Sequence, residues 1–355
     1  MSDPVAGVAI RAIAAAVPAR VVRTADYAGM PPDDQARFQK ATGIAERHIV
    51  HPGQCASDLC TVAAERLLDH LGWAPTSIGA VVLVTQTPDQ PVPATSLAIQ
   101  HRLGLPENCV AFDVNLGCSS YPYGLAIVSS LMKTLGIARS LLLVGDVSSL
   151  VCAEDDKSAW PLFGDAGSAT AIELDRDAAP MWFDLMSDGG GKEAIIIPGG
   201  GLASRRPPAT AGEPLDTDGD GVVRRRDQLI LRGADIFSFA ISKVPSSITR
   251  VMAAAGIPAA EVDFLILHQA NKMINDTIGR KTGFSGDKLP SSLETHGNTS
   301  SASIPVTLCA HADRFAESAV TAVLCGFGVG LSWGSLLATL PEGGVLPLIE
   351  SDHVY

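Results

Sequence analysis

The sequence has few aromatic residues, an excess of acidic over basic residues, and no long apolar run. Aromatic side chains make up 5% of the 355 residues, and 26 basic residues against 38 acidic ones give a formal net charge of −12. This deficit of positive charge argues against a broad nucleic-acid-binding surface and against adhesion to anionic membranes. No stretch approaches the roughly 18 uninterrupted apolar residues of a membrane span. The first residues also lack the charged-then-apolar layout of a signal peptide.

Cysteine is present, but without the spacing that a disulfide framework or a zinc module needs. The seven cysteines are scattered and contain no Cys-x-x-Cys pair. This usage predicts reduced thiols in a cytoplasmic protein. The hydrophobic fraction of 46% is too high for a disordered chain, and it supplies apolar material for one large domain or two ordinary ones.

Short apolar runs alternate with longer segments whose apolar residues recur at helical spacing. The runs that predict strands are 80–85, 110–115, 140–145, 262–267, 318–325 and 330–340. The segments that predict helices are 94–103, 124–135, 236–256, 271–282 and 303–316. Uninterrupted apolar strands separated by helices imply an α/β protein whose sheets are covered on both faces.

The similar order of elements in the two parts of the chain predicts an internal duplication. The predicted halves are residues 1–180 and 181–355, joined near 175–186. One segment, 204–226, departs from the pattern because it is rich in proline, glycine and charge. It predicts a long loop inserted in the second half.

Cys118 stands between a predicted buried strand and a predicted helix. A thiol at such a junction faces the helix amide groups, whose partial positive charge favours the thiolate. A small buried structural cysteine is the commoner role in a cytoplasmic protein. Cys118 is therefore a candidate nucleophile, with the structural role left open.

Three further features lie at predicted strand ends or helix starts. His268 follows the apolar run 262–267, where α/β sheets place groups that face ligands; a structural histidine is the alternative. Asn298 lies in a run of small polar residues that can also be a loop with a helix cap. The glycines of 326–330 fit either a tight turn or a backbone whose N–H groups approach a ligand.

Together these motifs resemble the β-ketoacyl-acyl-carrier-protein synthase III family of the thiolase superfamily. The resemblance covers nearly the whole chain except 204–226, and it implies a homodimer with the thiolase fold, in which duplicated α/β halves form five αβαβα layers. It is carried by TGIAERHIV at 42–50, the Cys118 turn, LFGDAGSATAIEL at 162–174, HQAN at 268–271, GNTSSASIP at 297–305 and GFGVGLSWGS at 326–335.

The resemblance implies a decarboxylative Claisen condensation with a role for each candidate residue. Cys118 takes an acyl primer from a thioester, and the backbone N–H groups of Cys118 and Val329 stabilise the oxyanion. A malonyl thioester then loses CO₂, and His268 and Asn298 donate hydrogen bonds to the enolate oxygen. No metal or redox cofactor is required. The product is a β-ketoacyl thioester of fatty-acid, polyketide or related specialised biosynthesis.

Two other functions stay open on the sequence. One is an acyltransferase that passes the acyl group from Cys118 to a hydroxyl or amine without decarboxylation. Asn298 favours condensation over this alternative, because simple acyl transfer needs no group to stabilise an enolate. The other is a non-catalytic subunit that binds acyl carriers, which would not need a nucleophile.

Several expected substrate contacts depart from the family's usual residues. Arg37 stands where members that use coenzyme A commonly carry a tryptophan, and Met273, beside Lys272, replaces an arginine. The primer donor is therefore either an acyl-CoA or an acyl-carrier-protein thioester. The resemblance also places Asn271 and Phe327 at the substrate.

Val92 falls where a large side chain from the partner subunit often closes the acyl pocket of this family. Because valine is smaller, we expect a wider or longer pocket and a primer other than acetyl.

An acidic carrier protein would need a local basic surface on this acidic chain. Lys272, Arg280 and Lys281, on the predicted helix after His268, are candidates, as are the arginines at 205, 206 and 224–226 in the insertion. An ordinary solvated surface is the alternative.

The insertion also contains a calcium-like spacing of acidic residues. Asp216, Asp218 and Asp220 alternate before Gly221, and Asp227 stands at the last ligand position of an EF-hand-type loop. Because proline- and glycine-rich sequence, not a helix, precedes the spacing, we favour a flexible acidic turn over a calcium site.

Overall fold

The computed structural model of the protein describes residues 3–202, 214–217 and 222–355. Elements are numbered in chain order through these residues. The α-helices are α1 Pro32–Thr42, α2 Ala56–Leu71, α3 Thr95–Arg102, α4 Ser120–Leu135, α5 Gly233–Ala255, α6 Lys272–Thr282, α7 Leu293–His296 and α8 Ser303–Ala310. The strands are β1 Val8–Pro18, β2 Val21–Arg23, β3 Glu46–His48, β4 Ala80–Val84, β5 Val110–Val114, β6 Arg139–Asp146, β7 Ala166–Leu174, β8 Trp182–Ser187, β9 Ile195–Ile196, β10 Pro214–Thr217, β11 Val223–Arg225, β12 Ile230–Leu231, β13 Phe264–Leu267, β14 Val320–Gly328, β15 Ser332–Leu340 and β16 Ile349–Ser351.

Two large sheets organise the described residues. The first has six strands in the order β16-β1-β7-β6-β4-β5, and the second has four in the order β13-β14-β15-β8. Strand β4 pairs in parallel with both β5 and β6, and β13 pairs in parallel with β14. The carboxyl ends of β5 and β6 therefore lie at one edge of their sheet, and those of β13 and β14 at one edge of theirs.

Helices cover both faces of each sheet, which explains the uninterrupted apolar runs of the sequence. Helices α4 and α8 lie between the two sheets, α2 and α3 cover the outer face of the first, and α5, with α6 beside it, covers the outer face of the second. Successive residues follow this layering: Val82 packs in the central core and Val81 in the outer one. The result is the five-layer αβαβα arrangement that the resemblance implied.

Each predicted strand and helix has a counterpart in the structure, but two predicted segments differ from it in the kind of structure they form. The predicted helix 303–316 ends at Ala310, and a short 3-10 turn, Ala312–Phe315, follows it. The segment 204–226 is not a continuous loop, because β10 and β11 pair as an antiparallel hairpin in which Asp216 faces Arg224.

The two predicted halves correspond to the sheets, with one exception. Strand β7 ends at Leu174 in the first sheet and β8 begins at Trp182 in the second. Strand β16, however, returns to the first sheet beside β1. The domain limits 1–180 and 181–355 stay a prediction. Among the described residues, no helix combines the length and apolar character needed to cross a membrane.

Candidate active site

The carboxyl ends of four strands meet at a cavity of about 330 Å³. Strand β5 leads to Cys118, β6 ends at Asp146, β13 leads to His268 and β14 carries Phe327; the side chains of all four residues line the cavity. Asn298 lines it from the segment before α8. The structure thus brings the three candidate catalytic residues, which are up to 180 positions apart in the sequence, to one place.

Cys118 lies just before α4 and is 7% exposed. The backbone N–H groups of Val329 and of Cys118 itself, with the Ser300 side chain, favour a negative charge on the sulfur, which is what an oxyanion site requires. Burial raises the pKa of the Cys118 thiol to about 11, and the negative charge of Asp146 adds to this effect. The sequence-based expectation of a thiolate at the helix start is therefore wrong for this site, because desolvation outweighs the stabilising N–H groups.

Strand β14 reaches the nucleophile only because residue 328 is glycine. A Cβ atom on Gly328 would lie 2.6 Å from the Cβ and 2.9 Å from the Sγ of Cys118, well inside contact distance. The close approach is what lets the following residue, Val329, present its backbone N–H to the sulfur. The glycines of 326–330 thus form the turn and also allow the backbone to come close to Cys118.

His268 is held by its backbone and by one ring nitrogen. Its N–H donates to the carbonyl of Cys325 (2.8 Å), and its Nδ1 lies 2.7 Å from the Ser303 hydroxyl. The edge of the imidazole meets the Phe327 ring, with centroids 5.4 Å apart. Burial lowers the pKa of His268 to about 3, against an opposing hydrogen bond to the Ser300 backbone. The imidazole is therefore neutral at physiological pH.

Asn298 is fixed on both its backbone and its side chain. Its N–H donates to the Leu162 carbonyl (2.9 Å), and its own carbonyl accepts from the Gly164 N–H (3.1 Å). The side-chain Oδ1 accepts from the Ser300 N–H at 3.0 Å. Because that oxygen is occupied, the NH₂ group is the part of the amide left to donate.

Sequence reasoning missed Asp146. Its Oδ1 accepts from the Gln86 N–H (2.7 Å) and the Thr85 hydroxyl (3.0 Å), while its Oδ2 accepts from the Ser301 N–H (3.2 Å). The carboxylate thereby ties the end of β4 to the segment that carries Asn298. The available signal was an acidic residue directly after the apolar run 140–145.

The apolar wall of the cavity was also missed. It comes largely from the pair β9 and β12, which follows the joint between the two predicted halves, and from the start of α5. The residues of this wall are Ile195, Ile196, Ile197, Leu229, Leu231 and Ile236.

The expected substrate contacts fall into two groups. Asn271, Phe327 and Val329 line the cavity, although the Asn271 Oδ1 also caps α6 by accepting from Ile274 N–H (2.8 Å). The other three do not line it. Arg37 hydrogen-bonds to Asp34 (3.3 Å), Lys272 pairs with Asp276 (2.8 Å), and Val92 is 81% exposed.

The calcium-like motif lies mostly outside the described residues. This is true of Asp218, Asp220 and the side chain of Asp216, while Asp227 is exposed beyond β11. In the described part of the chain, no cluster of three or more His, Cys, Asp or Glu side chains could hold a metal ion. All seven cysteines are free.

Comparisons with known proteins identify the family of this chain. The family models for 3-oxoacyl-[acyl-carrier-protein (ACP)] synthase III and for its C-terminal part match residues 112–189 and 252–340. The β-ketoacyl-[acyl-carrier-protein] synthase III of Thermosynechococcus vestitus is 31% identical over 94% of this chain and 98% of its own. That of Rhodopirellula baltica is 33% identical over 93% and 98%. The chain belongs to the β-ketoacyl-[acyl-carrier-protein] synthase III family.

A solved structure of the family supports the same assignment. The 3-oxoacyl-(acyl-carrier protein) synthase of Burkholderia xenovorans LB400 superposes with a TM-score of 0.91, at 33% identity and over 97% of both chains. The resemblance stated from the sequence and the thiolase fold are therefore confirmed. As a synthase III, the protein is a condensing enzyme of the transferase class.

Proposed function

We propose that this synthase III joins an acyl primer, held as a thioester on Cys118, to a malonyl-type thioester with loss of CO₂. The observation that carries the proposal is the convergence of three groups on one cavity: a buried thiol, a neutral imidazole and an asparagine amide whose NH₂ is free to donate. Family membership supports the same reaction.

The first step is transfer of the acyl group to Cys118. Because the pKa of the thiol is raised to about 11, the sulfur attacks as it gives its proton to His268. The bond to the donor's sulfur then breaks, and that sulfur takes the proton from His268. The N–H groups of Cys118 and Val329 stabilise the negative oxygen between these events. The products are acyl-Cys118 and a free donor thiol.

The second step is decarboxylation and carbon–carbon bond formation. As CO₂ leaves the malonyl thioester, the electron pair moves to the thioester oxygen, where His268 and Asn298 donate hydrogen bonds. A neutral imidazole suits both steps: its Nδ1–H tautomer accepts the thiol proton on Nε2 in the first, and its Nε2–H tautomer, with Nδ1 accepting from the Ser303 hydroxyl (2.7 Å), donates to the enolate in the second. The enolate carbon attacks the acyl carbonyl, the Cys118 thiolate leaves and takes a proton from water, and a β-ketoacyl thioester remains.

The remaining substrate assignments form part of the same proposal. The apolar wall of the cavity suits an acyl chain, with Asn271 and Phe327 contacting substrate near the reacting atoms. Arg37 and Lys272 would contact the donor outside the cavity, whether an acyl-CoA or an acyl carrier protein. Val92 would act across a homodimer, limiting the length of the partner's acyl pocket.

The test is the mass of the intact protein after incubation with a panel of acyl-CoA and acyl-carrier thioesters. Wild type gains one acyl increment, Cys118→Ala gains none, and Cys325→Ala, a matched change at another buried cysteine, still gains it. Malonyl-carrier then discharges the increment with release of CO₂. Discharge without CO₂, or loading that persists in Cys118→Ala, contradicts the proposal.

A further inference from the structure

Arg47 is a buried cation that the proposed reaction does not use. Its side chain is fully buried, and its Nη1 donates to the carbonyls of Trp160 (2.6 Å) and Phe163 (2.8 Å). The guanidinium carbon also lies 5.3 Å from the centre of the Trp160 ring. Among the described residues, the buried Asp165 is the carboxylate whose charge acts most on Arg47, but it forms no ion pair with it, and the Arg47 Nε and Nη2 have no hydrogen-bond partner. A buried charge with so few partners requires a reason other than stability.

The segment that Arg47 holds, residues 160–164, is the one that holds Asn298. Between the two Arg47 acceptors, the Leu162 carbonyl accepts the Asn298 N–H, and directly after them the Gly164 N–H donates to the Asn298 carbonyl. Phe163 and Asn298 form the corresponding parallel bridge. One guanidinium thus holds two carbonyls of the short segment whose Leu162 and Gly164 hydrogen-bond to the backbone of Asn298.

Arg47 also reaches Asn298 from the other side, through Gly297. A Cβ atom on Gly297 would lie 2.9 Å from the Arg47 Cγ and 2.8 Å from the Leu162 carbonyl oxygen. The φ of Gly297 is +64°, a conformation that side chains disfavour. The aliphatic stem of Arg47 therefore packs directly against the peptide that precedes Asn298.

We propose that Arg47 is a positioning residue for Asn298, acting through residues 160–164 and Gly297 to aim the amide at the enolate oxygen. This inference rests on the proposed function. Loss of Arg47 should therefore slow decarboxylation and spare primer loading, because Asn298 acts only when the enolate forms. Loading of the primer depends on Cys118, His268 and the Val329 N–H, none of which Arg47 touches.

The experiment compares the two half-reactions in Arg47→Met, which fills a similar space without charge or donors. Primer loading is followed as acyl-Cys118 by intact mass. Decarboxylation is followed as labelled CO₂ released from malonyl-carrier by enzyme already loaded with primer. We expect loading to change by less than about threefold and CO₂ release to fall roughly 10- to 100-fold, as for a small misplacement of a catalytic group.

Two variants control for loss of structure. Arg139→Met removes an arginine that likewise stacks on a tryptophan, Trp73, at the far end of β6, and it should leave both half-reactions unchanged. Arg47→Lys keeps the charge and a donor for the two carbonyls, and it should restore part of the CO₂ release. If Arg47→Met does not fold, Arg47→Lys alone is the test. We then expect its ratio of CO₂ release to primer loading to be lower than that of wild type.

An equal fall in both half-reactions, or a wild-type ratio in both Arg47 variants, overturns the positioning role and leaves the proposed function standing. Asn298→Ala supplies the reference, with a fall in CO₂ release at least as large as in Arg47→Met. A wild-type rate of CO₂ release in Asn298→Ala contradicts the proposed function itself and removes the role of Arg47 with it.

Discussion

At the scale of single residues, the site keeps Cys118 and His268 uncharged. The pKa of Cys118 is raised to about 11 and that of His268 is lowered to about 3, in both cases chiefly by burial. Between these values the sulfur keeps its proton and the imidazole carries no charge. The pair therefore differs from a preformed thiolate–imidazolium pair, and thiolate forms only as the substrate reacts.

These two protonation states predict the pH dependence of Cys118 alkylation. Because the thiol pKa is about 11, the thiolate fraction rises about tenfold per pH unit from pH 7 to pH 10, and the alkylation rate rises with it. His268 adds no step above pH 5, since it is already neutral there. Iodoacetamide labelling followed by mass, with Cys118→Ala to identify the contribution of the partly exposed Cys55, measures the profile. A plateau below pH 8 would show an activated thiolate instead.

Residue identities at the site were predictable from the sequence, but their electrostatics were not. Motif order was enough to select Cys118, His268 and Asn298. The thiol pKa depends on burial and on Asp146, which stands 28 positions away in the sequence and lacks any motif of its own. Arg47 lies inside a recognised motif, yet its contacts with residues 160–163 exist only in the folded chain.

At the scale of elements, the start of β15 fixes the turn that carries Val329. The Ser332 hydroxyl donates to the Val329 carbonyl (2.8 Å) and pairs with the Ser119 hydroxyl (2.7 Å), next to the nucleophile. Both hydroxyls of this pair are buried. The turn and the start of α4 are thereby held in one position relative to each other.

Loss of this hydroxyl bridge is predicted to weaken primer loading selectively. In Ser332→Ala, the Val329 N–H is less well aimed at the oxyanion, so loading should slow roughly 10-fold. This is a smaller fall in rate than removal of a whole oxyanion donor causes. Release of CO₂ by enzyme already loaded should stay near the wild-type rate. The two half-reactions are measured by intact mass and by labelled CO₂, with Ser332→Thr as the variant that keeps a hydroxyl. Equal losses in both steps would contradict this role.

Strand prediction succeeded where apolar residues run without interruption, and it missed two long strands of the six-stranded sheet. The predicted bounds of strands β4, β5 and β6 lie within one residue of the observed bounds. Strand β1, rich in alanine, and β7, with its mixture of glycine, serine and threonine, were not assigned because their strand propensity is weak. Their strand form comes from pairing with each other along nearly their full length.

At the scale of the whole molecule, Val92 is a large exposed apolar residue on the single chain, at 81% exposure. It lies in the loop before α3, a helix that packs against β5, the edge strand of the six-stranded sheet. Exposed apolar side chains and unpaired strand edges are both typical of surfaces that a partner covers. These features support the proposed homodimer with Val92 reaching the partner's pocket.

Val92→Phe is predicted to shift primer preference toward shorter acyl groups, because a larger side chain shortens the pocket it closes. Relative loading rates across a series of acyl thioesters measure the shift. Leu135→Phe, which enlarges another exposed apolar residue (56% exposed) at the end of α4 away from Cys118, is the control. An unchanged chain-length profile in Val92→Phe contradicts the assignment, and sedimentation shows whether the variant keeps its oligomeric state.

The parallel pairing of β1 with β16 joins the earliest and latest parts of the chain. Ile13 of β1 donates its N–H to Gly344 and accepts from Leu346, so the contact extends beyond the strand itself. During translation, the edge of the six-stranded sheet at β1 stays uncovered until β16, residues Ile349–Ser351, has left the ribosome. Until then, β1 presents an open edge on which a neighbouring nascent chain can pair. We therefore expect synthesis speed and chaperone supply to affect the yield of this enzyme.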